Sequence, residues 1–339
     1  MAVRPQCSRM ALTFYKETDY GSGVPNANIN KLYEPNEPIL IDLTQERIDD
    51  AETIKGHEFP LNPALDIVVA QNISLPFSFP GTCSVIGVLG SFALGVDVVT
   101  GSSPNWVHTY KMGDLCINDQ LPSSGWILGL VNDVNSIFAV KGVVINEFKI
   151  AMDSPGRLTV TGTAFTDGTM TANPTYTFPP ISAAADPLLG STGDFLIVNQ
   201  GGTPSVSKKP KFRGFEFGVN NNLDLADGRS NVATSGKYLS SLRTGNRAVT
   251  LTIRVEGHQG DEFWTDFMNE TLKDVEVTVT TNTNRMISIH LKSCKIITAA
   301  QSFDGIRDVL ELTFKPFFVV ADGSPVIMTV KNGDAAYLT

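Results

Sequence analysis

The amino-acid sequence predicts a mainly β fold, with two tandem β-sandwich or barrel domains that are each flanked by one α-helix. The first observation is an order of elements (strand, helix, strand, long hairpin) that occurs twice along the chain. The second is the period-two alternation of apolar and polar residues inside the strand candidates. The third is composition, because 42% hydrophobic residues, 29 glycines and 19 prolines in 339 residues favour a soluble, strand-rich protein.

The first copy falls in a predicted N-terminal domain, 1–198. An extended N-terminus and an acidic loop or irregular strand at 41–60 precede the strand candidate ALDIVVAQNISLPF at 64–77. A helix candidate follows at 84–95, and a paired-strand run begins at Phe138. A chain of this length is comfortable for two domains that each bury a core.

The second copy falls in a predicted C-terminal domain, 199–339. The strand RAVTLTIRVEG at 247–257 precedes a helix candidate at 261–272, and paired strands begin at Ile287. Further strand candidates with good alternation lie at 275–284, 285–296 and 308–318, with an Asp-Gly turn signal inside 302–306. Residue identity between the copies is low, so the predicted duplication rests on the order of elements.

A Pro-, Gly- and Ser-rich segment at 173–210 is the predicted linker between the copies, with a short strand at 195–199. The run KFRGFEFGV after it predicts a strand that enters a polar loop at Asn220. The final residues, 323–339, add an edge strand or hang free.

The second helix candidate has a predicted apolar face that covers the outside of a sheet. Asp261 and Glu262 stand in its first turn, where they favour the positive end of the helix dipole. The residues expected on the packed face are Phe263, Trp264, Phe267, Met268 and Leu272.

Composition excludes several classes of protein. The N-terminal residues lack a continuous apolar stretch, so we expect no secretory signal and synthesis in a cytosol. The apolar run 82–99 contains Asp97 and three glycines, which favours a buried helix over a membrane span. The cysteines have no metal-ligand spacing, and we expect free thiols that mostly pack in the core at Cys7, Cys83, Cys116 and Cys294.

The net charge differs between the two halves of the sequence, and its sign argues against tight binding of nucleic acid. Residues 1–198 hold 10 Lys and Arg against 20 Asp and Glu, which gives −10, and residues 199–339 hold 16 against 15, which gives +1. Phosphate binding depends mainly on Lys and Arg that displace counterions, so a chain of net charge −9 is a poor candidate for tight binding.

No catalytic, cofactor or metal site is predicted. The sequence has no GxSxG, HExxH or Gly-rich phosphate loop. His57 with Glu58, and His258 near Asp261, offer too few donors for a metal. Adjacent carboxylates such as Asp49 and Asp50 seldom act as a glycosidase pair. The tryptophans sit inside apolar alternation and are expected in the core at Trp106, Trp126 and Trp264.

The acidic segment has two interpretations: a solvated surface, or a protruding arm that meets a basic patch on another subunit. On the second interpretation, the residues predicted to make contacts between rings or subunits are Asp42, Glu46, Arg47, Asp49, Asp50, Glu52, Lys55, Lys208, Lys209, Lys211 and Arg213.

Five segments in order carry a resemblance to a known family: YKETDYGSGVP, ERIDDAETIKGHEF, WVHTYKMGDLCINDQLPSSGW, the run from IFAVKGVVINEF to LTVTGTAF, and FRGFEFGVNNNLDLADGRS followed by GNRAVTLTIRVEG. Together they cover nearly the whole chain. The sequence resembles the major tail tube proteins of long, non-contractile-tailed bacteriophages.

The resemblance implies a structural virion protein of the tail, made in the bacterial host cytoplasm, whose copies join by strand addition around a lumen. A duplicated chain implies three chains in a ring with pseudo-sixfold symmetry, and rings stacked into a tube. Implied partners are other copies of the chain, the tape-measure, tail terminator and tail-tip proteins, and double-stranded DNA that passes without specific binding; no membrane and no cofactor is implied.

The resemblance also implies that the 42–58 loop, the N-terminus and the linker contact neighbouring rings, and that both helices cover the outside. Without a third, immunoglobulin-like module the outer surface is expected to be smooth. The alternatives are a tail-tip or fibre β-sandwich adhesin that binds host glycan, a capsid or baseplate subunit of similar fold, and a glycan hydrolase with two carboxylates in a cleft.

Overall fold

The mainly β fold with two helices is confirmed in a computed structural model of the chain. The residues that the structure describes are 10–22, 31–48, 67–112, 121–130, 133–153, 155–172, 176, 178, 188–202, 204, 207–225, 243–258, 260–304 and 307–335. Within them, neither helix combines the length and the apolar character that crossing a membrane requires.

Among the described residues, nine strands and one helix lie in the first half of the chain. The helix is α1, Cys83–Leu94. The strands are β1 Met10–Lys16, β2 Asp42–Ile48, β3 Ile67–Pro80, β4 Gly95–Ser102, β5 Asn105–Met112, β6 Ser124–Leu130, β7 Asp133–Asp153, β8 Thr159–Phe165 and β9 Met170–Ala172.

The second half contributes the other nine strands and α2, Glu262–Met268. The strands are β10 Gly193–Asn199, β11 Phe212–Asn220, β12 Leu223–Asp224, β13 Arg243–Thr244, β14 Ala248–Glu256, β15 Lys273–Asn282, β16 Arg285–Asp304, β17 Arg307–Pro316 and β18 Ile327–Asn332. Of all these strands, β12 and β13 form a separate pair, and the other sixteen form one antiparallel sheet.

The strands of the two halves are arranged in the same order. In the first half the neighbours run β2-β3-β8-β7-β6-β1, and in the second they run β11-β14-β17-β16-β15-β10. The small strand β9 pairs with the start of β7, as β18 pairs with the start of β16. The repeated order of elements expected from the sequence is therefore present, with β1 and β2 matched by β10 and β11.

Irregularities of the two long strands also fall at matching places. The register of β7 against β8 shifts between Ile145 and Glu147, and the register of β16 against β17 shifts between Ile296 and Thr298. Bulges re-aim a strand and belong to a fold's design rather than to chance. The shared position supports the common origin of the two halves.

A second bulge repeats in the same way. The register of β6 against β7 shifts between Ser124 and Trp126, and that of β15 against β16 shifts between Lys273 and Val275. Strand β7 therefore changes its partner from β6 to β8 at the place where β16 changes its partner from β15 to β17.

Helix α1 agrees with the predicted buried helix to within one residue at each end. Thr82 caps its start, because the side chain of Thr82 accepts a hydrogen bond from the backbone N–H of Val85 at 3.3 Å. Gly95 ends it at φ 105°, a backbone conformation that suits glycine. All but one of its residues are buried, since it lies between β7, β5 and β18.

Helix α2 ends earlier than the sequence predicted. It stops at Met268, and Glu270 at φ 49° turns the chain away. Phe263 is fully buried and Trp264 and Phe267 pack against the core, whereas the side chain of Met268 is 65% exposed and Leu272 lies beyond the helix. The prediction that five residues share one covered helical face was therefore wrong for Met268 and Leu272.

The hairpin of β4 and β5 was not predicted and has no counterpart in the second half. It follows α1 directly, and β5 pairs with β18 near the C-terminus. Strand β18 is thus paired on both sides, by β16 and β5, so the expectation of an edge strand or a free tail was wrong. The hairpin ties the two halves together.

A substitution of Phe217 tests whether this side chain lies in the core at the middle of the sheet. It is fully buried on β11, opposite Ile150 and Leu251. Phe217→Ala should lower the free energy of unfolding, measured by urea denaturation, by about 3–5 kcal/mol through lost burial and a cavity. The control Val320→Ala, at a side chain 87% exposed, should change it by less than about 0.5 kcal/mol. Equal effects of the two variants would contradict this placement.

Candidate assembly interface

The two halves of the chain meet edge to edge along β7 and β11. Seven residue pairs form this antiparallel ladder, from Gly214 opposite Asp153 to Asn220 opposite Glu147. Each strand satisfies the backbone N–H and C=O groups that the other would otherwise leave unpaired. This ladder, called the internal seam below, makes one continuous sheet out of two similar units.

The inner face of the internal seam is apolar and closed. The side chains that it buries are Phe148, Ile150 and Met152 on β7 and Phe215, Phe217 and Val219 on β11. Met152 is only 1% exposed although it lies near the end of β7. Its methyl group and the ring of Phe212 both lie against Gly193, so the second half covers it.

A polar lock joins the end of α1 to the second half. Asn221 is fully buried and donates through Nδ2 to the carbonyls of Ile145, at 2.8 Å, and Ala93, at 3.1 Å. Arg247 donates through Nε to Asn221 Oδ1 at 2.7 Å and through Nη2 to the carbonyls of Ala93 and Leu94 at 3.0 and 3.3 Å.

Arg247 suits the C-terminal end of a helix, where carbonyls without intrahelical partners carry partial negative charge. Burial lowers its pKa to about 10, which still leaves the guanidinium charged at neutral pH. In the polar lock, the charged guanidinium of Arg247 therefore donates hydrogen bonds to carbonyls at the end of α1 that have no partner within the helix.

The outer face of the internal seam is polar. Lys149 and Glu216 form a salt bridge of 2.7 Å across the ladder, and Arg254 pairs with Asp153. Threonines dominate the neighbouring strands, and Thr252 and Thr313 share a hydrogen bond of 3.3 Å. The positive charges of Lys149 and Arg254 on this face are thus each paired with a carboxylate of the same chain.

A second contact between the halves is made by α1 and the β4–β5 hairpin. The Met328 methyl of β18 fills the space beside Gly90, and Asn332 Nδ2 donates to the Cys83 carbonyl at 3.3 Å. This contact lies on the face of the sheet that α1 covers. The two halves are therefore joined both by the internal seam and by this second contact.

His108 on β5 is buried in this second contact. Its Nε2 donates to the Asp334 carbonyl at 2.9 Å, and its Nδ1 lies 3.4 Å from Asp97 Oδ1. Burial alone would lower the pKa of His108, but the bonds to Asp97 and Asp334 and the charges of both carboxylates raise it above its ordinary value. The imidazole is a structural link.

Several strands, among them β1, β4 and β9, pair on one side only within the described residues, and two further open edges correspond to the strands of the internal seam. Strand β2 pairs only with β3, and the last part of β16 pairs only with β17. Large apolar side chains are exposed beside these edges: Leu40, Leu43, Ile297 and Phe303. Exposed apolar residues along an open strand edge are typical of a surface that another chain covers.

The acidic residues predicted from the sequence fall partly on this open edge. Asp42 and Glu46 are exposed on β2, and Arg47 belongs to the same strand. The predicted contacts that lie outside the described residues are Asp49, Asp50, Glu52 and Lys55. Their role in contacts between rings stays a prediction.

The predicted cations near residue 210 pair with carboxylates of the same chain. Lys208 binds Glu262 at 2.7 Å, and Lys211 lies 3.4 Å from Asp261. Arg213 pairs with Glu256, and Lys209 lies in a 3-10 turn, Lys209–Lys211, that leads into β11. These bonds anchor the start of α2, and a contact of the four cations with another subunit stays a prediction.

The described residues contain no group of three or more His, Cys, Asp or Glu side chains that could hold a metal. Cys83 and Cys294 are free and buried, and burial raises the pKa of each thiol to about 12. Such thiols stay protonated at neutral pH and are poor nucleophiles.

A comparison with family models decides the family. The model described as phage tail tube protein matches residues 8–315, which is nearly the whole chain. The chain belongs to the phage tail tube proteins. It is therefore a structural protein of a phage tail, and the resemblance noted in the sequence is confirmed.

Among solved structures, the tail tube protein is similar to the SPP1 tail tube, determined by solid-state NMR and cryo-EM. The two chains share 16% identity with a TM-score of 0.30, and the match covers 45% of this chain and 83% of the SPP1 chain. No curated protein matches the sequence.

Sequence reasoning did not find the residues that build the internal seam of this tail tube protein. Asn221 sits in the run NNN, which was expected to be a polar loop, and Arg247 is the first residue of the predicted strand 247–257, where the pattern indicates no buried partner. A residue-by-residue comparison of the two copies is the signal in the sequence that could place these residues between the two halves.

The polar lock provides the second test. Arg247→Met should lower the free energy of unfolding by about 1–3 kcal/mol, because Asn221 Oδ1 and the carbonyls at the end of α1 lose their donor. Arg254→Met is the matched control, since that arginine is 39% exposed and its salt bridge with Asp153 should contribute no more than about 1 kcal/mol. Urea denaturation of both variants gives the comparison, and a smaller effect at Arg247 than at Arg254 would refute the lock.

Proposed function

We propose that this tail tube protein polymerises into rings that stack into the hollow tail tube through which phage DNA enters the host. The observation that carries the proposal is the repeated unit with an internal seam and open edges. Two similar units are joined by β7 and β11, while β2 and the end of β16 stay open. A head-to-tail contact that repeats the internal seam pairs the open edge of β2 with the open edge of β16 once the ring closes.

We infer that the repeated units are the two domains of the chain. Strand β10 pairs with β15 and so belongs with the second unit by its place in the sheet. The boundary is therefore proposed just before Gly193, close to the division at 198 and 199 expected from the sequence. Two units in each chain support a ring of three chains with pseudo-sixfold symmetry.

The continuous sheet is proposed to form the wall of the channel, with its polar face towards the lumen. Its charges near the internal seam are balanced by the pairs of Lys149 with Glu216 and of Arg254 with Asp153. Duplex DNA carries one phosphate charge about every 1.7 Å along its axis, so a wall rich in unpaired cations would hold it. A threonine-rich, balanced wall in a chain of net charge −9 lets DNA slide.

The proposed assembly pathway follows from this role. Chains add to a tail-tip platform around the tape-measure protein, a terminator joins the finished tube to the head, and the tube conducts DNA without specific binding. Synthesis takes place in the bacterial host cytoplasm.

Negative-stain microscopy of the purified chain at rising concentration tests the function. We expect hollow rods of uniform width, because each chain offers both halves of the contact that closes a ring. Globular particles of fixed size that bind glycan would instead support the adhesin.

The acidic segment is proposed to contact the next ring. The combined substitutions Asp49→Lys, Asp50→Lys and Glu52→Lys should shorten the rods at low salt, and the difference should shrink at high salt as charges are screened. The melting temperature of the unassembled chain is the control and should not change. Rod length and yield equal to those of the unsubstituted chain would reject this role.

A further inference from the structure

We propose that neighbouring chains join by a ladder between β16 of one chain and the 39–44 segment of the next, with Leu43 opposite Ala299 and Ile39 opposite Phe303. The proposal rests on the ring proposed above and adds its register. The occupant of each open edge is thus a second copy of this chain. The register follows from the internal seam by matching the two halves residue by residue.

The matching of β7 to β16 is set by their bulges. Ile145 and Ile296 are the last residues before the shift, so they are equivalent. Counting along the strands from this point makes Phe148 equivalent to Ala299 and Met152 to Phe303. The second shared bulge gives the same result, since Val143 and Cys294 face the matching residues of β6 and β15.

The matching of β2 to β11 follows from their partners. Leu75 of β3 and Leu251 of β14 face the equivalent residues Ala164 and Phe314. Two positions before these leucines, Ile73 is paired with Leu43 and Val249 is paired with Val219. Leu43 is therefore equivalent to Val219, and by the same count Ile39 is equivalent to Phe215.

An independent hydrogen bond supports this alignment. The backbone N–H of Gly81, after β3, donates to the Leu158 carbonyl at 2.8 Å. The backbone N–H of Gly257, after β14, donates to the Asp308 carbonyl at 3.1 Å. These two glycines are equivalent in the alignment, and so are their two acceptors.

The internal seam then predicts the contact between chains. In the internal seam Val219 is opposite Phe148, and Phe215 is opposite Met152. Replacing each residue by its equivalent gives Leu43 opposite Ala299 and Ile39 opposite Phe303. Residues 39–41 precede β2 in the isolated chain, and we infer that they join the strand on assembly.

Exposure at the open edges agrees with this register. Phe303 is 75% exposed, whereas its equivalent Met152 is 1% exposed because the second half covers it. Leu43 is 44% exposed, whereas its equivalent Val219 is 3% exposed. Both exposed side chains stand at positions that face the core, so they are the residues that lack a cover until a second chain arrives.

The polar lock has a counterpart at the open edge as well. Gln45 and Gln71 are the equivalents of Asn221 and Arg247 in the alignment. Gln45 Nε2 donates to Gln71 Oε1 at 3.1 Å, so the same two positions are hydrogen-bonded as in the polar lock, with donor and acceptor exchanged relative to the 2.7 Å bond from Arg247 Nε to Asn221 Oδ1. The pair is therefore placed to meet the end of α2 of the chain that contributes β16, where Met268 is exposed.

Disulfide trapping tests the register. Leu43→Cys with Ala299→Cys, in a chain with Cys7→Ser and Cys116→Ser, should give oxidised dimers and trimers on a non-reducing gel and none after reduction. Directly opposite residues have Cα atoms about 4.5–5.5 Å apart, within the reach of a disulfide. The matched control, Leu43→Cys with Gln301→Cys, moves one cysteine two residues along the same face and should trap at least tenfold less.

The outcomes separate this proposal from the proposed function. Rods, together with a disulfide between the cysteines at positions 43 and 299, support both the proposed tube and the proposed register. Rods with equal or stronger trapping at 301, or with none at either position, overturn the register and leave the tube intact. Absence of rods in the unsubstituted chain overturns the tube itself.

Phe303 gives a second readout. Phe303→Asp should leave the melting temperature of the unassembled chain unchanged, because the side chain is exposed there, and should abolish rods because a carboxylate would be buried between chains. Phe303→Leu should restore rods. Normal rods from Phe303→Asp would show that Phe303 is not covered by the next chain.

Discussion

The hydrogen-bonding demand of strand edges is the constraint on which the rest of this structure depends. A sheet edge presents a row of N–H and C=O groups that must be paired or exposed to water. Inside the chain, the backbone groups of β7 and β11 form hydrogen bonds with each other. The same architecture leaves β2 and the end of β16 with unpaired backbone groups of the same kind. The fold of one chain therefore favours strand pairing with a second chain.

The proposed contact between chains differs in chemistry from the internal seam. The internal seam joins parts of one chain, which meet at high effective concentration, and the half-buried Arg247 of the polar lock lies beside it. The open edge carries the glutamines Gln45 and Gln71 at the equivalent places, which cost less to expose before assembly and less to bury afterwards. The extra hairpin β4–β5 strengthens the contact inside the chain, because β5 pairs with β18.

Local patterns were enough to predict the strands and the first helix. Alternation identified β14, β15 and β17, and the apolar run after Thr82 identified α1. The end of α2 was missed because it depends on the left-handed backbone of Glu270, a residue type without that preference. The assembly surface was missed because Phe303 reads as an ordinary core residue of an alternating strand, and only the packed structure leaves it uncovered.

A cryo-EM reconstruction of the assembled tube tests the central claim most directly. The account predicts an unbroken antiparallel sheet around the lumen, in which β16 of one chain and the 39–44 segment of the next lie at the ordinary strand spacing of about 4.8 Å. A gap in the wall between chains, or chains joined through α2 and the hairpin with both strand edges left open, would contradict it.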